Sequence, residues 1–296
     1  MKKIKILLIL TLTCLLFSDL TEEEKALFRK NVVIPVPSEI IMALDMISDA
    51  DWRSVVSYDY SSNYAENYKI ALNLGVRVAQ GFIAIQAQDR RNTGEMFLIS
   101  RDLAENFGAR SEMFVDRNHI TKLLNEGKWL DLRSILDDIH LRVKDEMIKY
   151  DPDFVVLAGI GGWLEGMHIV SNALKDNYTE DSSMILHQPE LIDHFIESVT
   201  SLKPVNLEKP EVKAIQKHLP RIKELTSVGP GNPIPEESIA ELYEIGRELN
   251  KMIVAGSISD VSYEGDTPGK WAVIYSFIIV ALIIIYVSKR KKGGAK

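Results

Sequence analysis

Glu165 and His168 lie three residues apart in Glu165-Gly-Met-His168. On a helix this spacing presents a carboxylate and an imidazole from one face. Two copies of Glu-x-x-His with two further bundle glutamates make the di-iron and di-manganese centres of four-helix bundles. Asp137-Asp-Ile-His140 and Asp116-Arg-Asn-His119 repeat the acid-x-x-His form, but only one full Glu-x-x-His is present. With 42 acidic residues and six histidines, such spacings also arise by coincidence. Glu165 and His168 are thus the candidate metal ligands of a secondary reading, a metal-dependent, di-iron-like helical enzyme. The plainer reading is a hydrogen-bonded polar pair beside a glycine-rich helix crossing.

Other chemistries find less support. Gly159-Ile-Gly161-Gly162 lacks the preceding strand and the following Lys-Ser/Thr of a phosphate loop. No Gly-x-Ser-x-Gly nucleophile elbow occurs. The single cysteine, Cys14, falls within the first 18 residues, so residues 19–296 have no thiolate for disulfides, iron–sulfur clusters or nucleophilic catalysis. Met96, Met113, Met147 and Met167 are too scattered for haem or copper ligation and read as core filling. The polar cluster Gln86 to Arg91 is either a pocket or partner contact or a solvated helix end. No catalytic residue, cofactor-binding residue or cofactor is assigned.

The elements that must position these residues read as helices throughout. Apolar residues recur with a 3.6-residue period, and convincing strand alternation is missing. A capping box at Thr21 opens a short helix, Val32 to Pro37 is an extended connector, and Ser38 caps a second helix to about Ile47. Asn63 to Gln88 reads as one long, largely buried helix. Further segments run from about Asn92 to Asn106 and from Asp116 to Asn125, stopping at Gly108 and Gly127. Lys128 to Tyr150 carries a stripe of Trp129, Leu132, Ile135, Leu136, Ile139, Val143 and Met147, with His140 at its border. Asp151-Pro152 closes it and starts the next helix, which runs to about Asn177. A helix from Pro189 to about Ser201, a proline-broken linker over 203–211, and helices over 211–227 and 235–255 follow.

Two small-residue stripes carry the main expectation about packing. Ala71, Gly75 and Ala79 recur every four residues, as do Ala158, Gly162 and Gly166. This spacing predicts that the two helices cross closely at the centre of the bundle. Glycine costs about 1 kcal/mol of helix propensity relative to alanine, and close backbone packing can offset it. The rival reading makes Ile70 to Ala87 and Phe154 to Leu174 membrane spans with small-xxx-small faces. Arg77, Glu165 and His168 speak against it, because ionisable groups at mid-bilayer are expensive.

The two ends read as a pair. Lys2, Lys3 and Lys5 precede an apolar run to Phe17, the form of a secretory signal over residues 1–18. Trp271 to Val287 is uncharged and is followed by Lys289, Arg290, Lys291 and Lys292. Such a run can cross a bilayer as a helix, with Trp271, Tyr275 and Tyr286 at the interfaces and the basic cluster on the cytoplasmic side. Between the ends, residues 19–270 hold 27 basic against 42 acidic residues, a formal charge of −15, which disfavours nucleic acid as a partner. The expected organisation is a signal (1–18), a helical bundle domain (19–202), a helical arm (203–255), a flexible stalk (256–270), a transmembrane helix (271–288) and a basic tail (289–296). The fold class is all-α, a multi-helix bundle with a single C-terminal transmembrane helix. The function expected is membrane-anchored, extracytoplasmic binding or scaffolding in a bacterial inner membrane. The partners are the lipid bilayer and a protein at the membrane. A multi-span transport or assembly component is the third possibility.

Overall fold

The computed structural model describes residues 50–229 and 231–256, together with Leu44 and Ile47. The signal, most of the stalk, the transmembrane helix and the basic tail expected from the sequence lie outside these residues. Among the described residues the chain is helical and has no strand. Its helices are α1 (Asn67–Gln86), α2 (Arg90–Glu105), α3 (Arg117–Glu126), α4 (Trp129–Tyr150), α5 (Pro152–Asp176), α6 (Glu180–Ser183), α7 (Pro189–Thr200), α8 (Pro204–Leu207), α9 (Pro210–Thr226) and α10 (Glu236–Val254).

Short polar residues and glycines set the boundaries. Asp89 accepts from the backbone N–H of Asn92 (3.0 Å) at the start of α2. Asp116 accepts from Asn118 (2.8 Å) at the start of α3. Asp151 accepts from Asp153 (3.0 Å) ahead of α5, with Pro152 in the first turn. Each satisfies an amide that the helix itself leaves unpaired. Gly127 closes α3 at φ +66°, a left-handed conformation that other residues adopt only with strain.

The short helix α6 and the start of α2 at Arg90 depart from the sequence expectation, and side-chain pull explains two further differences. The first long helix starts at Asn67 rather than Asn63 because Tyr64 turns inward, where its hydroxyl accepts from Arg77 (3.0 Å). The linker around 203–211 holds one helical turn, α8. Asp153 of α5 accepts there from the backbone N–H of Lys203 (2.8 Å) and the amide of Asn206 (2.7 Å). The expected division near residue 203 is also corrected. The compact unit continues to Ala255. The apolar stripe of α10 (Ile239, Leu242, Leu249, Ile253) is buried, and Gly246 packs on His168 of α5. These residues belong to the bundle rather than to a separate arm.

The central element is α5. Leu157, Ile160, Ala173 and Leu174 are fully buried in it. By length and composition α5 could cross a membrane, and it is the one such helix among the described residues. It is also the helix on which α1, α4, α7 and α10 pack. The apolar composition is what a helix surrounded by partners requires.

Candidate functional site

The small-residue stripes are split between two jobs. A Cβ built on Gly75 would lie 1.9 Å from the carbonyl oxygen of Ala158, and one on Gly161 would lie 2.2 Å from that of Leu72. On Gly162 it would lie 3.1 Å from the carbonyl oxygen of Gly75. At these positions α1 and α5 touch backbone to backbone. Ala71 is fully buried in the same interface. Farther along, the helices no longer touch this way. A Cβ on Gly166 would meet nothing within 4 Å, and one on Gly159 would meet only the ring of Phe195, at 3.7 Å.

Beside the crossing lies a cavity of about 230 Å³ that opens to the surface and is lined by both parts of the stripes, Gly75, Ala158 and Gly162 as well as Ala79 and Gly166. Val78 and Phe82 of α1, Leu136 and Met147 of α4, Trp163 of α5 and Phe195 of α7 bound it. Ala79, Gly159 and Gly166 line it where larger residues would fill it. Its polar lining is sparse: Ser100, His140, Lys144, Gln188 and Thr226. Two of these are already satisfied. The Gln188 amide accepts from the Trp163 indole (3.0 Å) and donates to the Ile185 carbonyl (3.2 Å), and the Thr226 hydroxyl donates to the Ile222 carbonyl (2.9 Å). The other three are not. The Ser100 hydroxyl is buried without a hydrogen-bond partner. His140, half-buried, and Lys144, exposed at the cavity's edge one turn further along α4, have no hydrogen bond or ion pair within the protein among the described residues. Burial, and secondarily the Lys144 ammonium, hold the His140 pKa down at about 4. The imidazole is therefore neutral near pH 7.

The opposite faces of α1 and α5 carry a polar ladder shared with α10. Glu165, 2% exposed, accepts from the amides of Gln80 (2.8 Å) and Asn250 (2.5 Å). His168 Nδ1 lies 3.4 Å from the same carboxylate, and its ring stacks on Tyr243 at 5.5 Å between centroids. One turn back along α1, Arg77 is fully buried and pairs with Asp59 (2.9 Å) and Tyr64. Asn73 donates to the Ile253 carbonyl at the end of α10 (2.9 Å). Gly246 makes this three-helix arrangement possible, since a Cβ there would lie 2.8 Å from that of His168.

The structure thus brings Glu165 and His168 together, but into a set of amide donors. Among the described residues no group of three or more His, Cys, Asp or Glu side chains is placed to hold a metal. The Glu165 lone pairs already accept from neutral N–H groups, whereas a di-metal centre needs them for the ions together with further carboxylates. The other acid-x-x-His pairs gather no third ligand either: Asp116 caps α3, and neither Asp116–His119 nor Asp137–His140 belongs to a group of three potential ligands among the described residues. The Gln86–Arg91 cluster is a tied helix corner, in which Asp89 caps α2 and Arg53 donates to the Ala87 and Gln88 carbonyls. Sequence reasoning passed over Ser100, Lys144, Gly161 and Gly246. Of these only Lys144 carries a signal, one turn beyond His140 at the edge of the α4 stripe.

Comparison of the chain with protein-family models, curated proteins and solved structures finds no match.

Proposed function

We propose that this is a membrane-tethered binding protein whose helical body takes up the apolar part of a ligand between α1, α4, α5 and α7. The cavity carries this reading. Protein interiors hold few voids larger than a water molecule. An apolar hollow of about 230 Å³ that opens to the surface leaves its walls without packing partners on one side, and an apolar ligand would supply them. Glycines at 159 and 166 keep the space open where any larger side chain would reduce it.

The tether is the apolar segment 271–288 with its basic flank, and the signal-like first 18 residues direct the body to the extracytoplasmic side of a bacterial inner membrane. Anchoring would hold the cavity next to a source of apolar molecules or to a membrane protein that hands them over.

Trp163 lines the cavity and reports on its contents. The full chain in lipid nanodiscs, with Trp52, Trp129 and Trp271 replaced by Phe so that Trp163 is the one indole, is titrated with a brominated long-chain alcohol, whose bromine quenches indole fluorescence at short range. The expected result is saturable quenching that is blocked in Gly166→Leu, which puts a bulky side chain where a Cβ has nothing within 4 Å. Equal quenching of the wild type and of Gly166→Leu would rule the cavity out as the binding place.

A further inference from the structure

We propose that the ligand is a long-chain fatty acid, its single tail in the apolar cavity and its carboxylate held by Lys144, His140 and Ser100. The inference rests on the binding reading above and adds the headgroup.

The tail follows from the lining. Apart from Ser100, His140, Lys144, Gln188 and Thr226, the cavity is walled by apolar side chains and glycines. At about 230 Å³ it lies below the ~300–1,000 Å³ typical of small-molecule sites, which suits one chain rather than a two-tailed lipid.

The headgroup follows from what is unsatisfied. The three polar groups that lack partners share the property of being donors. Lys144 offers an ammonium, the neutral His140 imidazole offers one N–H, and Ser100 offers a hydroxyl. Helix neighbours would ordinarily neutralise such a lysine from three or four positions away. Those positions on α4 hold His140, Leu141, Met147 and Ile148, and none is acidic. Lys144 is exposed at the rim of the cavity, where its ammonium, unpaired among the described residues, is complementary to the headgroup of an entering anion. Ser100 is an independent pointer. It is 6% exposed, it comes from α2 rather than α4, and its hydroxyl lines the cavity unpartnered. Buried hydroxyls are nearly always hydrogen-bonded. A cationic amphiphile would face the Lys144 charge, and an alcohol would leave it unpaired.

The experiment uses brominated C16 chains that differ only in headgroup: acid, alcohol and ammonium. Each is titrated against the fluorescence of the full chain carrying Trp163 as its one tryptophan in nanodiscs, with Gly166→Leu as the background for partition into lipid. The acid should bind about tenfold more tightly than the alcohol, the size of one charge-assisted hydrogen bond, and the ammonium should bind most weakly. Lys144→Gln should remove the preference for acid over alcohol. Lys144→Arg should keep the preference, which separates loss of charge from loss of fold. If acid and alcohol bind equally in the wild type, or if Lys144→Gln leaves the preference intact, the headgroup assignment is wrong although the cavity still binds. If none of the three chains quenches Trp163 above the Gly166→Leu background, the binding reading itself fails.

Discussion

The α1–α5 pair presents two faces that solve burial in opposite ways. Toward α10, Glu165, Gln80, Asn73 and Arg77 sit in the interior and bond to one another or to a neighbouring segment. Toward α4 and α7 the wall is apolar, yet it holds an opening, one buried hydroxyl without a partner (Ser100), and a half-buried imidazole and an exposed ammonium at its edge. The first face specifies how three helices register. The second leaves both volume and hydrogen-bonding capacity unused, and a binding site needs both. The polar face is not perfect either, because Nε and Nη1 of Arg77 and Oε1 of Gln80 remain unpartnered. Those atoms lie within a closed network, whereas the cavity donors line empty space.

If the polar face is structural, its weak point is the buried charge. Asp59→Ala would leave the Arg77 guanidinium with no carboxylate in a fully buried position. The expected loss is about 3–5 kcal/mol, read as a shift in the denaturant midpoint. Arg77→Met should cost much less, since Asp59 is partly exposed and can return to water. Equal losses for the two variants would show that the network, rather than the uncompensated charge, dominates this face.

The glycines test the same contrast within one stripe. Gly75→Ala places a methyl 1.9 Å from a carbonyl oxygen, so α1 and α5 must separate. About 3 kcal/mol of destabilisation is expected, at the upper end of overpacking costs.

Acid sensitivity should arise on the cavity face. His140 titrates at about 4 in the folded protein against an ordinary 6.5, because burial and Lys144 disfavour its cation. Between those values the unfolded chain binds the proton and the folded chain does not, so stability rises with pH across this window and is lost as pH falls through it. Each tenfold loss of proton affinity is worth about 1.4 kcal/mol. Allowing for solvent screening, the whole effect is on the order of 2 kcal/mol. Comparing urea midpoints of the wild type and His140→Phe from pH 4 to 7 checks it. The variant should lack that part of the slope.

Much of the helical frame was legible because local chemistry writes it. Aspartates at 116 and 151, Pro152 and Gly127 mark ends whatever surrounds them, whereas Asp89, which caps α2, reads only as part of a polar cluster. Four-residue spacing marks Gly75 and Gly162, which meet, but it equally marks Gly166, which faces open space, and it passes over Gly161, which touches Leu72. Periodicity identifies a face; what lies opposite depends on distant residues such as Phe195 and Leu136. The cavity was illegible for that reason, being space that several helices jointly fail to fill. Gly246 gave no signal as a lone glycine within α10, although it sets how close α10 comes to His168. Glu165 and His168 were visible as a pair, but the amides of Gln80 and Asn250, 85 residues away on either side, decide what the pair does.

The smallest expected effect is the most discriminating. Gly166→Ala adds a methyl where nothing lies within 4 Å, in the interior of a helix that glycine weakens. It should stabilise the protein by about 1 kcal/mol through helix propensity and reduced freedom of the unfolded chain. The same substitution at Gly75, in the facing stripe on α1, is expected to act with opposite sign. A thermal shift upward for Gly166→Ala and downward for Gly75→Ala would establish that one set of regularly spaced small residues performs two tasks: close approach at the crossing, and preserved space beyond it. If Gly166→Ala is also destabilising, α5 has a neighbour at that position, and the cavity is smaller than its walls imply.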